Sequence, residues 1–330
     1  MLLAGDIGGT KTVLALFAAD DLQQPLHPLH LQTFPSGRFP SLEAIITQFI
    51  ADKDITIDAA SFGVAGPVVN GRSQITNLPW VIDSAVIRQT LHVEHVTLLN
   101  DLESIANAVP HLQGDDLASI NEGRGEPGGA VAVIAPGTGL GEGFLIWDGQ
   151  RYQAHPSEGG HASFAPTNPD QCAMLAFMQQ KYDHVSFERV CSGSGIPNLY
   201  AFWQQDGRFP EPDWLREQIE QAEDPTPVIV EAGLAKTADI CVATLQMFVD
   251  ILAGEASNMA LKVLSTGGVY LGGGIPPRLL NLLQTERFIS QFADKGRFTQ
   301  LLLNMPLQVI CNPQTALLGA AWAGLDLLNE

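Results

Sequence analysis

The chain has 330 residues with a formal net charge of −19, and its isoelectric point is about 4.6. This length favours two domains, because a single hydrophobic core rarely grows beyond about 250–300 residues. Hydrophobic residues make up 45% of the sequence and charged residues 16%, which argues against disorder. The acidic charge disfavours nucleic acids and anionic membranes as partners.

The sequence pattern contains no targeting segment. The start of the chain has no basic region followed by a long apolar run and a cleavage site, and no apolar run reaches membrane-spanning length. The four cysteines lie too far apart in the sequence for a metal knuckle or a redox pair, which favours free thiols in a reducing cytoplasm. We therefore expect a cytoplasmic protein.

The first 17 residues predict two apolar strands, 2–5 and 13–17, that fold around a tight turn. Gly8 and Gly9 allow positive φ in this turn and leave backbone N–H groups bare. Together with the Thr10 hydroxyl, such groups form a concave anion site suited to a phosphate.

Asp6 ends the first strand, where its carboxylate could face a metal ion beside that phosphate. An ordinary β-hairpin with a surface aspartate fits the same pattern. A Walker A loop does not, because Thr10 and not glycine precedes Lys11.

Residues 130–146 repeat the plan of strand, glycine-rich turn with threonine, and strand. Such self-similarity indicates a duplicated core with one phosphate loop in each half.

Apolar residues at helical spacing predict a helix over 41–50 with Ser41 as its cap, and a buried strand begins at Ala59. A loop over 77–80 precedes a predicted helix over 84–91. Near the end of the chain, the patterns predict a core helix over 227–264, a strand followed by three glycines at 272–274, and a helix of small residues over 313–325.

Asn100 and Asp101 follow a predicted strand over 95–99 and precede a predicted helix over 102–109. In open α/β sheets, ligands bind at this carboxyl edge of the strands. Asn100 and Glu103 also have the spacing of a capping box, and aspartate is itself a good cap. The two roles can coexist.

Further polar candidates follow a crossing into a second domain, predicted at 111–129. Glu158 and His161 flank two glycines, so both side chains can reach one small object. A metal pair or a solvated loop fits these two residues as well. Glu188 precedes a Gly/Ser turn and is otherwise read as a surface charge.

The order of these motifs resembles the sugar kinase, Hsp70 and actin superfamily. This resemblance implies an α/β fold with two ribonuclease-H-like (actin-like ATPase) domains flanking an active-site cleft. Within that superfamily, four segments look like those of bacterial glucokinases, namely Leu99-Asn-Asp101, Glu158-Gly-Gly-His161, Glu188-Arg-Val-Cys-Ser-Gly and Asp294-Lys-Gly-Arg297-Phe.

Carried over residue by residue, the resemblance implies three sets of binding residues. The ATP phosphates would lie on Gly5, Asp6, Ile7, Gly8, Gly9 and Thr10 and on a second loop of Gly137, Thr138 and Gly139. Adenosine would lie near Gly272, Gly273 and Gly274. Glucose hydroxyls would bind Asn100, Asp101, Glu158, His161 and Glu188. Asp101 would be the catalytic base, and Mg²⁺ would lie near Asp6, reached through water.

The family pattern implies one domain from residues 1–110 plus 312–330 and another from 111–311. Lys11, where many relatives carry Asn, and Glu142 depart from the pattern and leave the details of phosphate binding open. No structural zinc is predicted, and relatives suggest a homodimer.

The implied activity is ATP-dependent phosphorylation of D-glucose to glucose 6-phosphate, which feeds glycolysis. A kinase for another hexose, a non-catalytic sugar sensor and an Hsp70-like ATPase are the alternatives. The range of sugars, the use of another phosphate donor and the oligomeric state stay open at this point.

Overall fold

A computed structural model describes residues 1–18, 26–75 and 78–329 of the chain. The chain forms two compact units. The first contains Met1–Asp116, Arg151–Pro156 and Asn312–Glu330, and the second contains Leu117–Gln150 and Ser157–Cys311. The domain limits expected from the sequence stay a prediction.

The first third of the chain contains seven strands and three helices among its described residues. The strands are β1 (Leu2–Ile7), β2 (Lys11–Phe17), β3 (His30–Pro35), β4 (Ala59–Val64), β5 (Arg72–Gln74), β6 (Val81–Asp83) and β7 (His95–Asn100). The helices are α1 (Leu42–Ile50), α2 (Ser84–Leu91) and α3 (Asp101–Ala108).

The rest of the chain is richer in helix. Its strands are β8 (Leu117–Asn121), β9 (Val131–Pro136), β10 (Leu140–Trp147), β11 (Tyr152–Ser157), β12 (Gly268–Leu271) and β13 (Leu307–Ile310). Its helices are α4 (Pro169–Met178), α5 (Ile196–Asp206), α6 (Asp213–Gln221), α7 (Pro225–Leu234), α8 (Asp239–Val263), α9 (Leu280–Leu283), α10 (Glu286–Ala293), α11 (Thr299–Asn304) and α12 (Thr315–Asn329).

The sheet of the first unit has the order β3-β2-β1-β4-β7. Strands β1 and β2 pair antiparallel, whereas β1, β4 and β7 run parallel. The register places Ile7 opposite Val64 and Val64 opposite Asn100, so the carboxyl ends of the three parallel strands meet at one edge.

Four strands of the second unit repeat this plan in the order β10-β9-β12-β13. Strands β9 and β10 form the antiparallel hairpin, and β9, β12 and β13 run parallel. Strand β8 extends this sheet antiparallel to β13. The duplication predicted from residues 130–146 is thus present as an antiparallel hairpin joined to two further parallel strands in each unit.

Helix α8 is the centre of the second unit's core. It is 25 residues long, and within the described residues it is the one helix long and apolar enough to cross a membrane by length and composition. The expectation that no apolar run reaches that length was therefore wrong. Since 78% of its apolar window is buried inside the protein, the length and apolarity of α8 are explained by core packing.

The continuous helix expected over 227–264 was also wrong, because this stretch forms α7 and α8. The chain leaves the helical conformation at Lys236, which has φ of 55°. Gly233 lets the two helices approach, since a Cβ atom there would lie 2.8 Å from the carbonyl oxygen of Cys241. Helical periodicity alone does not reveal such a break.

Other expectations agree closely with the structure. The predicted helix over 84–91 is α2, and the Ser41 hydroxyl accepts the N–H of Ala44 at the start of α1. Asn77, at the start of the predicted loop 77–80, lies outside the described residues.

Helix α12 packs its small residues directly on α3. A Cβ atom at Gly319 would overlap the carbonyl oxygen of Ser104, and one at Gly324 would lie 2.5 Å from a methyl carbon of Leu2. The backbone carbonyl of α3 cannot move aside without breaking its helix.

Gly319→Ala should therefore lower the free energy of unfolding by about 3 kcal/mol or more and the melting temperature by about 5 °C or more. The matched control is Gly254→Ala in α8, where a Cβ atom meets nothing within 4 Å and alanine improves helix propensity by up to about 1 kcal/mol. Thermal and urea unfolding of both variants measure the difference, and equal stabilities would contradict the packing argument.

Candidate functional site

The turn between β1 and β2 is closed by its own backbone. The N–H of Gly8 donates to the carbonyl of Lys11 at 3.0 Å, so it is not bare. Gly8 does not have a left-handed φ, and the expectation of positive φ was wrong there. Gly5 is needed for packing, since a Cβ atom would lie 2.8 Å from side-chain carbons of Leu14 and Phe62.

Ser36 anchors this turn, and sequence reasoning missed it. Its hydroxyl donates to the carbonyl of Gly8 at 2.8 Å and lies 3.0 Å from the hydroxyl of Thr12. Its N–H donates to the carbonyl of Thr10 at 3.0 Å. One serine after a strand carries no signal in the sequence, because only the β2–β3 pairing brings it back to the turn.

Asn100 and Asp101 differ in their positions at the start of α3, where the sequence left open which of them caps the helix. Asn100 is the N-cap of α3, and its side-chain oxygen accepts the N–H of Glu103. Asp101 is the first helical residue, and its Oδ1 accepts the N–H of Leu102 at 2.9 Å. Asp101 is exposed to solvent at the carboxyl edge of the sheet. The side chain of Asn100 therefore caps α3.

Asp6 and Asp101 interact electrostatically. Partial burial raises the pKa of the Asp6 carboxyl above its ordinary value, the charge of Asp101 raises it further, and Lys11 opposes both. Two acidic groups therefore share the edge of the first sheet with one lysine, which is an arrangement that favours a bound cation or a proton between them.

In the second unit, three chain segments meet at the turn between β9 and β10. The N–H of Gly193 donates to the carbonyl of Gly137 at 2.7 Å, and the Ser194 hydroxyl donates to the carbonyl of Thr138 at 3.1 Å. Gly273 has φ of 79°, and a Cβ atom there would lie 2.6 Å from the carbonyl oxygen of Pro136. Gly272 is tied to the sheet through the carbonyl of Ile134.

A cavity of about 390 Å³ opens beside this turn. Gly137 and Thr138 form one wall, and residues from the Gly193 segment, α7 and the turn after β12 form the others. Sequence reasoning missed most of this lining, which includes Ser194, Ile196, Asp224, Thr226, Val230, Ile275 and Arg278. Gly274 adjoins the lining residue Ile275 in sequence, and a Cβ atom at 274 would meet nothing within 4 Å.

The three polar candidates of the second unit meet around His161. Its Nε2 lies 3.8 Å from Oε2 of Glu158, and its Nδ1 lies 3.8 Å from Oε1 of Glu188. The side chains of Glu158 and His161 are 80% and 61% exposed. They therefore present donors and acceptors to solvent and are available to a polar ligand.

Glu188 is held beside the glycine turn. Its Oε2 accepts the N–H of Leu140, the first residue of β10, at 3.0 Å. Its own N–H donates to the carbonyl of Gly160 at 2.8 Å. Through its carboxylate and its backbone N–H, Glu188 thus links the segment that follows Gly139 to the loop that carries Glu158 and His161.

The candidates fall into two groups by unit. The first unit brings Asp6, Asn100 and Asp101 to one sheet edge, and the second brings Glu158, His161 and Glu188 together. In the described part of the chain, no group of three or more His, Cys, Asp or Glu side chains is placed to hold a metal ion.

Comparison with known proteins agrees with this picture. The family model "Glucokinase" matches residues 3–326. The glucokinase of Nostoc punctiforme is 41% identical over 335 residues, covering 97% of this chain and 98% of that protein. The crystal structure of a glucokinase from an Antarctic psychrotroph has a TM-score of 0.87 at 30% identity, covering 98% of each chain.

A more distant structure shows the fold alone. The ROK family glucokinase from Streptomyces griseus, solved in complex with glucose and AMPPNP, has a TM-score of 0.62 at 18% identity and covers 98% of this chain and 99% of its own. The fold and the paired glycine turns define a sugar kinase of the actin-like ATPase class. The chain belongs to the glucokinase family.

The close approach of Gly139 to Glu188 generates a prediction. A Cβ atom at 139 would lie 2.5 Å from Oε2 of Glu188, whereas one at 137 meets nothing within 4 Å and would enter the cavity. Gly139→Ala should displace Glu188 and raise the KM for glucose about tenfold, the worth of one charged hydrogen bond of about 1.5 kcal/mol. Gly137→Ala should instead raise the KM for ATP. Steady-state kinetics with each substrate varied in turn separate the two effects, and identical patterns for both variants would contradict the assignment.

Proposed function

We propose that this chain transfers the γ-phosphoryl group of ATP to the 6-hydroxyl of D-glucose and works as a cytoplasmic enzyme that supplies glycolysis. Glucose would be held by Asn100, Asp101, Glu158, His161 and Glu188. ATP would lie on the turn at Gly5, Asp6, Ile7, Gly8, Gly9 and Thr10, on the turn at Gly137, Thr138 and Gly139, and near Gly272, Gly273 and Gly274.

The observation that carries the proposal is the hydrogen bond between Leu140 and Glu188. It joins carboxylates suited to sugar hydroxyls to a glycine turn suited to a nucleotide. Carboxylate and imidazole groups bind hydroxyls in charge-assisted hydrogen bonds. Phosphoryl transfer needs mainly positioning and charge neutralisation, so a site that brings these two ligands together suits a kinase.

Asp101 is the proposed general base. It is exposed at the carboxyl edge of the first sheet, where it could accept the proton of the 6-hydroxyl and orient the oxygen for attack. Because Asn100 already caps α3, the carboxylate of Asp101 is not required for starting the helix.

Asp6 and Asp101 fit a hydrated Mg²⁺. Burial raises the pKa of Asp6 and the charge of Asp101 adds to this effect, so a divalent cation nearby would stabilise the ionised carboxyl. When bound with ATP, Mg²⁺ supplies charge neutralisation at the phosphates. Asp6 would hold this ion through water, and Lys11 would add positive charge at the same edge.

The cavity beside the second turn is the proposed adenosine site. Its walls combine apolar side chains from Ile196, Val230 and Ile275 with the polar groups of Asp224 and Thr226. Nucleotide bases bind in concave, mostly apolar sites that contain a few polar groups.

A homodimer is the proposed assembly.

A coupled assay for ADP production tests the function. The expected result is ATP turnover that requires glucose, stops when the divalent cation is chelated and returns with MgCl₂. Hydrolysis of ATP without sugar would favour an Hsp70-like ATPase, glucose binding without turnover would favour a sugar sensor, and faster turnover of mannose, fructose or glucosamine would favour a kinase for another hexose.

Asp101→Asn should lower kcat by about 10²–10⁴-fold, the usual contribution of general acid–base catalysis. The variant should keep its melting temperature and bind glucose, because asparagine retains the shape and Asn100 retains the cap. The control is Asn100→Ala, which removes the cap and should cost about 1 kcal/mol of stability. A folded Asp101→Asn enzyme with kcat within a few-fold of wild type would contradict the role of base.

Val230→Trp should fill the proposed adenosine cavity and raise the KM for ATP about tenfold or more, with a small effect on glucose. Leu234→Trp is the control, since Leu234 lies on the same helix, is 37% exposed and is not among the lining residues. An unchanged KM for ATP in the Val230 variant would place adenosine elsewhere.

A further inference from the structure

Glu142 is a buried acid that the proposed reaction does not use. It lies on β10 and is 1% exposed. Neither of its carboxyl oxygens has a hydrogen-bond partner among the described residues. Burial of an ionised carboxylate without hydrogen-bond donors is strongly unfavourable. The presence of Glu142 at this position therefore calls for a structural explanation.

The carboxyl group lies directly beneath the loop that carries the proposed glucose ligands. A Cβ atom at Gly159 would overlap Oε2 of Glu142, and one at Gly160 would overlap the carbonyl oxygen of Leu140. The loop from Glu158 to His161 therefore lies against β10 with no room for a side chain between them. Its Gly159 N–H donates to the Ser157 hydroxyl at 3.0 Å and not to Glu142.

A second buried acid adds to the effect of burial on the pKa of Glu142. Glu255 on α8 is fully buried, and its carboxylate accepts hydrogen bonds from Asn258 at 2.9 Å and from Lys262 at 3.4 Å. Burial raises the pKa of Glu255 as well, and the bonds from Asn258 and Lys262 oppose that rise. Glu142 has no such donors in the part of the chain that the structure describes. Burial first, and the charge of Glu255 second, raise the pKa of Glu142 to about 7.

The other titratable groups around Glu142 do not cancel the rise in its pKa. Lys262 lowers the pKa of Glu142, and this effect is smaller than the two that raise it. The thiol of Cys191 is neutral, because burial and the two acids raise its pKa well above the ordinary value. The charge of Lys295 lowers the pKa of Glu255 and not that of Glu142. On the loop side the titratable groups are Glu158, His161 and Glu188, with Glu158 and His161 mostly exposed.

We propose that Glu142 is a positioning residue for glucose, which as a neutral carboxylic acid supports Gly159 and thereby sets the positions of Glu158 and His161. The inference rests on the proposed placement of glucose at Glu158, His161 and Glu188. Once ionised, Glu142 would have to draw in water or the Gly159 N–H as a donor. Either change would move the loop and weaken glucose binding without touching ATP.

The size of the effect follows from the protonation equilibrium. If only the neutral form supports the loop, a pKa of about 7 makes glucose binding about tenfold weaker at pH 8 than at pH 6. Glu142→Gln is neutral at every pH and has nearly the same shape. Its Kd for glucose should stay within about threefold of the wild-type value at pH 6 and should not rise by pH 8.

Glu255→Gln tests the same equilibrium with Glu142 intact. Removal of the neighbouring charge lowers the pKa of Glu142, so the midpoint of the loss of glucose affinity should move to lower pH. This variant keeps the proposal testable if Glu142→Gln fails to fold. The control is Glu217→Gln, an exposed acid on α6, which should reproduce the wild-type profile.

Stability gives a readout independent of glucose. Glu142 keeps its proton up to about pH 7 when folded, whereas an ordinary glutamate loses it near pH 4.5. The folded state therefore binds more protons between these values, and the free energy of unfolding falls as pH rises through this window. Glu142→Gln should remove the part of this decline that Glu142 causes, and the infrared band of one protonated carboxyl group should disappear.

The test is calorimetric titration of the full chain with glucose, without ATP, between pH 6 and 8.5, which gives the Kd for glucose at each pH. A wild-type Kd that rises with pH, a flat Kd for Glu142→Gln and a shifted midpoint for Glu255→Gln support the proposal. Parallel profiles for wild type and Glu142→Gln, or an unshifted midpoint for Glu255→Gln, overturn it. A wild-type chain that does not bind glucose at any pH would overturn the proposed sugar site itself. This outcome distinguishes failure of the sugar site from failure of the proposal for Glu142.

Discussion

The hydrogen bond from the Leu140 N–H to Glu188 is the contact on which the joint placement of the glycine turn and the polar loop depends. Leu140 begins β10, so its backbone position is set by pairing with Pro136 at the end of β9. The carbonyl of the same residue lies under Gly160, and its N–H holds the carboxylate. A single strand residue thus fixes a glycine turn and a polar loop together, because both use backbone groups that the sheet has already ordered.

Glycine is required around this residue for a steric reason. Side chains at 139, 159 or 160 would meet Glu188, Glu142 or the carbonyl of Leu140. The close packing leaves the flanking side chains of Glu158 and His161 mostly exposed and that of Glu188 partly exposed. In the proposed sugar site these backbone contacts would fix the loop before the ligand arrives, which would lower the entropic cost of binding.

The two units share a core of strands but place their acidic groups differently. Each has an antiparallel hairpin followed by parallel strands, and each hairpin turn lies beside acidic groups. In the first unit, partial burial and the nearby Asp101 raise the pKa of Asp6. In the second, burial and the charge of Glu255 raise the pKa of Glu142, beneath the loop, to about 7.

The sequence by itself determined the paired hairpins, most helices and the residues that resemble a glucokinase site, because glycine turns and apolar periodicity are local signals. The tertiary structure decided the rest. Ser36 reaches the first turn only through strand pairing, and the break at Lys236 separates helices that periodicity joined. Only the fold shows that Asn100 rather than Asp101 caps α3, and that Glu142 lies unpaired beneath Gly159. Hydrogen-bond partners and desolvation depend on neighbours far away in the sequence, so no local pattern encodes them.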